Sequence, residues 1–560
     1  MPSNTLATLV APPVDGCLPV QPPLALERVD TARWDETCDV LVIGLGAAGA
    51  AAAITAKEAG ANVLVAERFE GGGASAKSGG VVYAGGGTPH QKKHGYGDTP
   101  DAMFRYLRLE TGDAVSEATL RRFCEDSRGL IAWLETLGAN FESSEKPPKT
   151  SYPKDGIYLY YSGNEGVPEY AAHAQPAPRG HRTRGSWLSG KALYEFLRKR
   201  VDALQIPVWT QAAAHRLITD SATGAVIGAE LRRLPPASAA AKRHQKLIAR
   251  AEAVHNFAPG YADRLRAQAL EIEMTQGQLQ RVRAVRGVVL STGGFIFNRK
   301  MVREHSPRFA MTMRLGATGC DGSGIRMGAS AGGVPARMEK VSAWRFINPP
   351  SFWPRGIVVD GQGRRFCNEQ VYGAKLGVQM CESHDGKGWL ILDQPLRKAA
   401  MKEALTGGLW PFQSIPAFIL MLFARRAKTV DALAKKIGVP ADALRWSLDN
   451  YNVAARTGAK DPLGKDASMR QLMDTAPYYA MNISADSKTF PCPAITLGGL
   501  KVDENSGAVL KADGQPVPGL FAAGRAAVGI ASNHYVSGLS LADCLWSGRR
   551  AGTTLGTTHE

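Results

Sequence analysis

Short apolar runs that end in glycine, separated by helical patterns, predict a mixed α/β fold for this chain. Val40–Ile43 and Val63–Ala66 flank an Ala-rich stretch of helical character, and Gly287–Leu290 is a third apolar run. Continuous apolar runs of this kind are typical of strands that are buried on both faces of a sheet. We therefore expect an α/β domain with a buried sheet at its centre.

The pattern changes character twice, which predicts that one domain is interrupted by another. Residues 298–476 combine a glycine-turn hairpin with amphipathic helices, and residues 519–525 return to a strand that ends in glycine. We expect residues 36–297 and 477–560 to build one sheet, with residues 298–476 inserted as a separate α+β domain. Residues 1–35 are Pro-rich and lack the basic start and apolar core of a signal peptide, so we expect a disordered extension.

Composition and charge single out one further segment. The 560 residues are 44% hydrophobic and carry a formal net charge of +16. In residues 231–287 eleven Lys and Arg residues outnumber four Asp and Glu residues, and the pattern predicts a helical hairpin, residues 232–283, inserted between two strands. We interpret this basic insert as a solvated surface or an oligomer contact. We expect no nucleic-acid binding, because no groove of interleaved basic and aromatic residues accompanies the charge.

Cysteine usage and hydropathy indicate the compartment. The eight cysteines are scattered without a CxxC pair or a Cys/His cluster, so we expect no metal site, no disulfide framework and a cytoplasmic location. No run reaches the ~18 apolar residues of a membrane span. The most apolar segment, Leu409–Ala424, precedes two arginines and is interpreted as a core or pocket-lining helix. The alternative is a shallow helix that contacts a membrane peripherally.

The first strand–helix–strand unit carries a nucleotide-binding pattern. Gly44, Gly46 and Gly49 follow the first strand and open the helix, and Glu67 ends the second strand. The three glycines allow a tight turn, a close approach of the backbone to a pyrophosphate and close helix packing, while Glu67 can accept hydrogen bonds from ribose hydroxyls. The complete unit predicts dinucleotide binding, without separating FAD from NAD.

Several separated glycine motifs resemble one flavoprotein family, which includes fumarate reductase flavoprotein subunits and 3-ketosteroid dehydrogenases. The motifs are GLGAAG with Glu67, GASAKSGG, STGGF, GATGCDGSG and LFAAGR…SGLSLADCLWSGRRAG, and the resemblance extends from Asp39 to Gly552. It implies a Rossmann-type FAD-binding domain interrupted by a substrate-capping domain. Members with covalent flavin present a His after the first glycines, where this chain has Ala76-Lys77, so the resemblance implies non-covalent FAD.

The resemblance also implies which residues hold the cofactor. Residues 75–80 would follow the pyrophosphate and the flavin ring, the backbone of Ala213 would meet the adenine, and Arg525 stands where the family often has an acid. The implied set is Gly44, Gly46, Ala48, Gly49, Glu67, Arg68, Ser75, Lys77, Ser78, Gly79, Gly80, Ala213, Thr292, Gly293, Asp321, Gly524, Arg525, Ser540 and Leu541.

Two tyrosines indicate the reaction. Fumarate reductases place an Arg proton donor after an Asn-Glu pair, whereas Tyr372 follows that pair here, and 3-ketosteroid dehydrogenases use tyrosines. The loop Tyr535–Gly538 has the sequence YVSG, which resembles the Δ4-(5α)-dehydrogenases more than the Δ1-dehydrogenases. Dehydrogenation beside a ketone needs a donor to the carbonyl, a base for the α-proton and a hydride acceptor. We assign Tyr535 and the N–H of Gly538 to the ketone oxygen, Tyr372 as the base and Ser537 as a relay or orienting group.

The leading hypothesis is therefore a FAD-dependent 3-ketosteroid Δ4-(5α)-dehydrogenase of steroid catabolism. Its substrate would be a hydrophobic ketosteroid, and its electron acceptor is unknown. The alternatives are a 3-ketosteroid Δ1-dehydrogenase, a fumarate- or enoate-type reductase, and a basic surface-binding protein with a vestigial flavin.

Overall fold

A computed structural model describes residues 16–557 of the chain. The first half alternates between strand and helix, as the apolar runs predict. Its strands are β1 (Leu24–Leu26), β2 (Glu36–Ile43), β3 (Val63–Ala66), β4 (Val81–Tyr83), β5 (Leu159–Tyr160), β6 (Gly180–Arg182), β7 (Val208–Trp209), β8 (Ala212–Asp220), β9 (Val226–Arg233) and β10 (Gln278–Leu290). Its helices are α1 (Ala47–Glu58), α2 (Gly73–Ala76), α3 (Pro89–Lys92), α4 (Pro100–Thr111), α5 (Glu117–Thr136), α6 (Pro168–Ala171), α7 (Gly190–Ala203), α8 (Ala239–Val254) and α9 (Pro259–Gln276).

The second half forms an inserted body and then returns to the first. Its strands are β11 (Met313–Arg314), β12 (Pro335–Ala336), β13 (Val341–Ala343), β14 (Ile357–Val359), β15 (Trp389–Leu392), β16 (Arg425–Ala427), β17 (Tyr478–Asn482), β18 (Pro493–Thr496), β19 (Gly499–Leu500), β20 (Ala508–Leu510) and β21 (Pro516–Ala522). Its helices are α10 (Arg299–His305), α11 (Ser323–Ser330), α12 (Gly373–Ser383), α13 (Gln394–Thr406), α14 (Pro411–Leu422), α15 (Val430–Ile437), α16 (Ala441–Thr457) and α17 (Leu539–Thr557). No helix within residues 16–557 is both long and apolar enough to span a bilayer.

The first body is built on a nine-stranded sheet, the largest in the described residues. The strands β7, β3, β2, β10 and β21 lie side by side and parallel, and the first half of β10 pairs antiparallel with β9. The apolar runs of β2 and β3 are buried because both faces of the sheet are covered. The predicted α/β fold is confirmed, with one sheet assembled from distant parts of the chain.

Small residues set the distance between α1 and α17. Gly548, Gly552 and Gly556 recur at every fourth position of α17 and face the Ala-rich helix α1. A Cβ added at Gly552 would lie 2.5 Å from the carbonyl oxygen of Ala52, so the two helices pack backbone against backbone. This contact holds α1 in place at the end of β2.

The N-terminal segment is ordered where the structure describes it. β1 pairs parallel with β8, and Cys17 and Leu18 are buried. The prediction of a disordered extension is therefore wrong for residues 16–35, and residues 1–15 lie outside the described part. The segment is held because its apolar side chains reach the wall of the first body.

The inserted body has its own antiparallel sheet, in the order β14-β15-β17-β16. β17 pairs with β15 and β16, so the predicted domain boundary at residue 476 is a few residues too early. Glu369 braces this body from inside: its carboxylate contacts Arg365 at 2.7 Å and Lys465 at 2.8 Å, all three nearly fully buried. The brace lies just before Tyr372 and α12.

Candidate active site

A groove runs past the end of β2 and contains the predicted glycine motif. Gly44 has a φ of +100°, and a Cβ at Gly49 would lie 1.9 Å from the carbonyl oxygen of Gly44, so both positions require glycine. Gly46 and Ala48 line the groove, and a Cβ at Gly46 would meet nothing closer than the Ser75 hydroxyl, 3.6 Å away. Gly46 gives α1 no side-chain cap, so the positive end of this helix faces the groove, as a pyrophosphate requires.

Glu67 lies at the end of β3, on the wall of the groove. Its carboxylate accepts hydrogen bonds from the backbone N–H groups of Leu45, at 2.6 Å, and Phe69, at 2.8 Å. Burial raises the pKa of Glu67, and these two hydrogen bonds work against that rise. The side chain is thereby fixed at the position that the sequence predicted for a ribose-binding acid.

The groove also contains polar atoms that await a partner. Ser75, Lys77, Thr292, Gly293, Gly524 and Arg525 are among its lining residues. Within residues 16–557 the buried Thr292 Oγ1 and Arg525 Nη1 have no hydrogen-bond partner, while Arg525 Nη2 donates to Cys320 Sγ at 3.4 Å. Buried polar atoms without partners are rare and are expected to meet a polar ligand. The phosphates and hydroxyl groups of FAD fit this donor set.

Five other predicted cofactor residues are not among the residues that line the groove. One of them is Gly79, whose carbonyl oxygen accepts a hydrogen bond from Tyr152 Oη at 3.1 Å. The remaining four are Ser78 and Gly80 on either side of it, and Ser540 and Leu541 in the first turn of α17.

Three further predicted cofactor residues, Arg68, Ala213 and Asp321, have structural contacts in and around the wall of the groove. Asp321 accepts hydrogen bonds from the N–H groups of Leu18, at 2.8 Å, and Ser323, at 2.9 Å, and pairs with Arg68 at 2.9 Å. Arg68 borders the groove, but its guanidinium is committed to this pair and to Glu273. The side chain of Ala213 packs among buried apolar residues on the other face of β8. Asp321 thus has structural contacts in the wall of the groove, and its contact with the cofactor stays a prediction.

Sequence reasoning missed one wall of the groove. Leu18 comes from the N-terminal segment, and His244, Ile248 and Glu252 come from α8 in the basic insert. The insert is the predicted helical hairpin, but its interpretation as a solvated surface is wrong for this face. The i, i+4, i+8 spacing of the three α8 residues was the available signal, because it places them on one side of a helix.

The two predicted tyrosines meet in one buried cluster. Tyr535 Oη accepts a hydrogen bond from the N–H of Gly538 at 3.3 Å, and its ring packs edge-on against Trp344, with 5.2 Å between ring centroids. Tyr372 joins the same apolar cluster. The sequence did not single out Tyr160, whose Oη lies 3.4 Å from Ser537 Oγ.

Burial controls the ionisation of these phenols. It raises the pKa of Tyr535 to about 12, and the nearby Arg525 guanidinium opposes the rise. Burial also raises the pKa of Tyr372 well above its ordinary value; Tyr535 and Tyr160 add to the rise, whereas hydrogen bonding to Ser537 opposes it. Arg525 also lines the groove, so the same guanidinium that opposes the rise in the pKa of Tyr535 belongs to the groove wall.

A flavin site is indicated by the glycine motif, the paired strands β2 and β3, and the buried polar atoms without partners. Comparison with known proteins supports this assignment. The model of the FAD binding domain family matches residues 39–541. The chain belongs to this family of FAD-binding flavoproteins. FAD is accordingly the cofactor, and the matched range contains the inserted body and all the residues that line the groove except Leu18 and Cys544.

Two relatives and one solved structure show which proteins this flavoprotein is similar to within the family. It is 43% identical over 520 residues to a 3-oxo-5-alpha-steroid 4-dehydrogenase of Comamonas testosteroni, covering 90% of this chain and 96% of the relative. The crystal structure of a 3-ketosteroid-Δ4-(5α)-dehydrogenase from Rhodococcus jostii RHA1, in complex with 4-androstene-3,17-dione, matches with a TM-score of 0.80 at 30% identity, covering 96% of this chain and 100% of that chain. A 3-oxosteroid 1-dehydrogenase of Mycolicibacterium smegmatis is 26% identical over 558 residues, covering 89% and 93%.

Proposed function

We propose that this flavoprotein is a 3-ketosteroid Δ4-(5α)-dehydrogenase that removes one hydrogen from each of C4 and C5 of a 3-keto-5α-steroid. The observation that carries the proposal is the apolar cluster that contains Tyr372 and Tyr535, with Ser537 two residues after Tyr535 and its hydroxyl 3.4 Å from that of Tyr160. The 43% identity to the Comamonas enzyme supports this regiochemistry over the Δ1 reaction. Bound FAD, held non-covalently, supplies the acceptor for the hydride.

Tyr535 and the N–H of Gly538 polarise the ketone. They lie 3.3 Å apart, so one carbonyl oxygen that displaces their mutual hydrogen bond is within reach of both donors. A pKa of about 12 keeps the Tyr535 phenol protonated at neutral pH, as a hydrogen-bond donor requires. Two donors stabilise the enolate character that develops when the α-proton leaves.

Tyr372 and Ser537 together remove the α-proton. Because burial keeps the Tyr372 phenol protonated, it accepts a proton only as it passes its own to the hydroxyl of Ser537. Ser537 Oγ lies 3.4 Å from Tyr160 Oη, which offers the next site for the proton. The three hydroxyl groups therefore act as a relay in which each takes up one proton as it gives up another, and water beyond Tyr160 takes the proton that leaves, so no free phenolate is needed.

The test is a substrate assay with product identification. Purified protein is mixed with a 5α-androstan-3-one, flavin bleaching is followed, and turnover is measured with an artificial electron acceptor. We expect bleaching and formation of a 4-en-3-one. A 1-ene product, or reoxidation of reduced viologen by an unsaturated acid without steroid turnover, would identify one of the alternatives and contradict the proposal.

We further propose that α14 brings this cytoplasmic protein into contact with a membrane from which the steroid enters. Five apolar side chains of this segment, Phe412, Ile415, Ile419, Leu422 and Phe423, lie on one face and are 39–75% exposed. We call this set the apolar face of α14. It contradicts the interpretation of Leu409–Ala424 as a buried helix and has the pattern of an interfacial helix.

Charge and position favour an anionic bilayer as the partner of the apolar face of α14. Arg425, Arg426 and Lys428 follow it directly and are exposed, and the whole chain carries a charge of +16. The helix is also joined to the site, because Gln413 Nε2 donates to the carbonyl oxygen of Tyr152 at 3.1 Å. Tyr152 in turn packs in one cluster with Tyr160.

Vesicle sedimentation tests this contact. We expect the protein to sediment with vesicles of phosphatidylglycerol and phosphatidylcholine, and an Ile415→Glu/Phe423→Glu variant to lose most of that binding. A Trp446→Glu/Val453→Glu variant is the matched control, because these side chains are 66% and 54% exposed on α16. Equal loss in both variants, or binding that survives in the first, would refute the contact.

A further inference from the structure

The basic insert forms the outer wall of the FAD groove. Helix α8 presents His244, Gln245, Ile248, Ala249 and Glu252 to the groove, opposite the glycine motif of α1. Its partner α9 packs along it, and β9 and β10 continue the sheet on either side of the hairpin. The insert is therefore part of the wall of the cofactor groove rather than a separate surface.

Buried contacts tie the inner end of this hairpin to the nucleotide-binding sheet. His244 is 1% exposed, and its Nε2 lies 2.8 Å from Glu273 Oε1 of α9. Glu273 also accepts a hydrogen bond from Arg68 Nε at 3.0 Å, directly after Glu67. The His244 ring stacks on Phe69 at 6.0 Å with an interplanar angle of 7°. This set anchors the hairpin beside the residue that we assign to the ribose.

A second contact closes the rim. Lys77, in the segment that faces the flavin, forms an ion pair with Glu252 of α8, and both side chains line the groove. Glu252 Oε1 also accepts hydrogen bonds from the N–H and the hydroxyl of Thr318, both at 3.1 Å. The two side chains are 39% and 24% exposed, so the pair lies where the groove meets solvent.

We infer that the hairpin Ala239–Gln276 is a clasp that retains FAD, with the Lys77–Glu252 ion pair as its latch. Arg68, Glu273 and His244 hold the inner end, and a cofactor seated on the N-terminus of α1 leaves only after the latch opens. The clasp acts on the residence time of FAD, so the inference stands or falls independently of the steroid reaction.

The experiment measures FAD release from the holoenzyme. Glu252→Gln keeps an oxygen for Thr318 and removes the charge that pairs with Lys77. We expect it to release FAD about two- to fivefold faster on dilution, the range for a partly exposed ion pair. Added salt should accelerate release from the native protein and leave the variant almost unchanged. Lys246→Gln, on the exposed side of the same helix, is the matched control and should release FAD at the native rate.

A second variant removes the clasp. Gln278 of β10 stands opposite Arg233 of β9, so a two-residue Asn-Gly turn can join these strands in place of residues 234–277. We expect this protein to lose FAD during gel filtration. Hydrogen exchange of the full chain, with and without FAD, should show slower exchange in α8 when FAD is bound. The clasp would be overturned if Glu252→Gln released FAD at the native rate, or if Lys246→Gln accelerated release equally. It would also be overturned if hydrogen exchange in α8 were the same with and without FAD.

Discussion

At the scale of single residues, burial decides how the hydroxyl groups of the site behave. Tyr372 and Tyr535 lie in an apolar cluster, where the charged form of a phenol is disfavoured. Each therefore keeps its phenol proton in the resting protein, and the proton relay that we propose passes through Ser537. Removing one hydroxyl should interrupt the chemistry while leaving the shape of the site and its cofactor intact.

Tyr535→Phe and Tyr372→Phe are each expected to lower turnover by roughly 10²-fold or more, as for the loss of a general acid–base group. FAD content, read from the flavin spectrum, should stay at the native level. Tyr478→Phe is the control, because this partly exposed ring lies in the strand β17 of the inserted body. Full activity in both site variants would show that the cluster is not the catalytic centre.

The role of a single residue could be predicted from the sequence where the local sequence pattern alone determines that role. Gly44 and Gly49 have the turn and the close packing that the motif implies. Asp321 shows the limit, since an acid in a glycine-rich turn has the same local pattern whether it meets a ligand or an arginine such as Arg68, which follows β3. Tyr160 lies in an irregular, Tyr-rich segment, where no periodicity shows which ring turns towards Ser537.

At the scale of elements, the seam between α1 and α17 controls the position of the cofactor groove. The backbone of α17 approaches α1 through Gly548, Gly552 and Gly556, and α1 starts at the glycine motif. A side chain placed in the seam would push α1 away from the sheet. Stability and FAD affinity should therefore change together.

Gly552→Ala is expected to destabilise the protein by about 1–3 kcal/mol, the usual cost of overpacking, because the new Cβ would meet the Ala52 carbonyl. Thermal unfolding and FAD titration measure the two effects. Gly129→Ala is the matched control in helix α5, where a Cβ meets no atom within 4 Å. The control should be neutral or slightly stabilising, because Ala favours a helix over Gly. A native melting temperature for Gly552→Ala would refute the seam.

The sequence predicted the presence of helices more securely than which part of the molecule each helix faces. The periodicity of the basic insert indicates two helices, which the structure contains as α8 and α9. Nothing in that periodicity shows that the hairpin folds back over the groove, because the contacts come from Phe69 and Arg68, far away in sequence. Likewise, the apolar pattern of α14 is the same for a buried helix and for an exposed one.

At the scale of the whole molecule, the inserted body depends on buried charge. Although burial alone raises its pKa, Arg365 and Lys465 lower the pKa of Glu369 to about 2. The ordinary value is 4.5, so Glu369 adds stability above about pH 4.5 and loses this contribution as the pH falls towards 2.

Glu369→Gln should destabilise the protein by about 3–5 kcal/mol at neutral pH, because Arg365 and Lys465 would keep buried charges without their partner. Thermal unfolding across a pH series should show the gap to the native protein narrowing below pH 4.5. Glu271→Gln, on an exposed position of α9, is the control and should follow the native curve. A gap that stays constant with pH would contradict the brace.

The seam between α1 and α17 also has a consequence for biosynthesis. Gly548 rests on Ala48, although nearly the whole described chain separates them. During translation α1 and its glycine turn leave the ribosome long before α17 is synthesised. In the same way β10 leaves the ribosome long before its partner strand β21. The nascent chain thus holds an uncovered Ala-rich helix and half a sheet, a species that chaperones recognise. Because Gly524, Arg525 and Cys544 also line the groove, the groove is complete only after α17 has been synthesised, and we expect FAD to bind after translation.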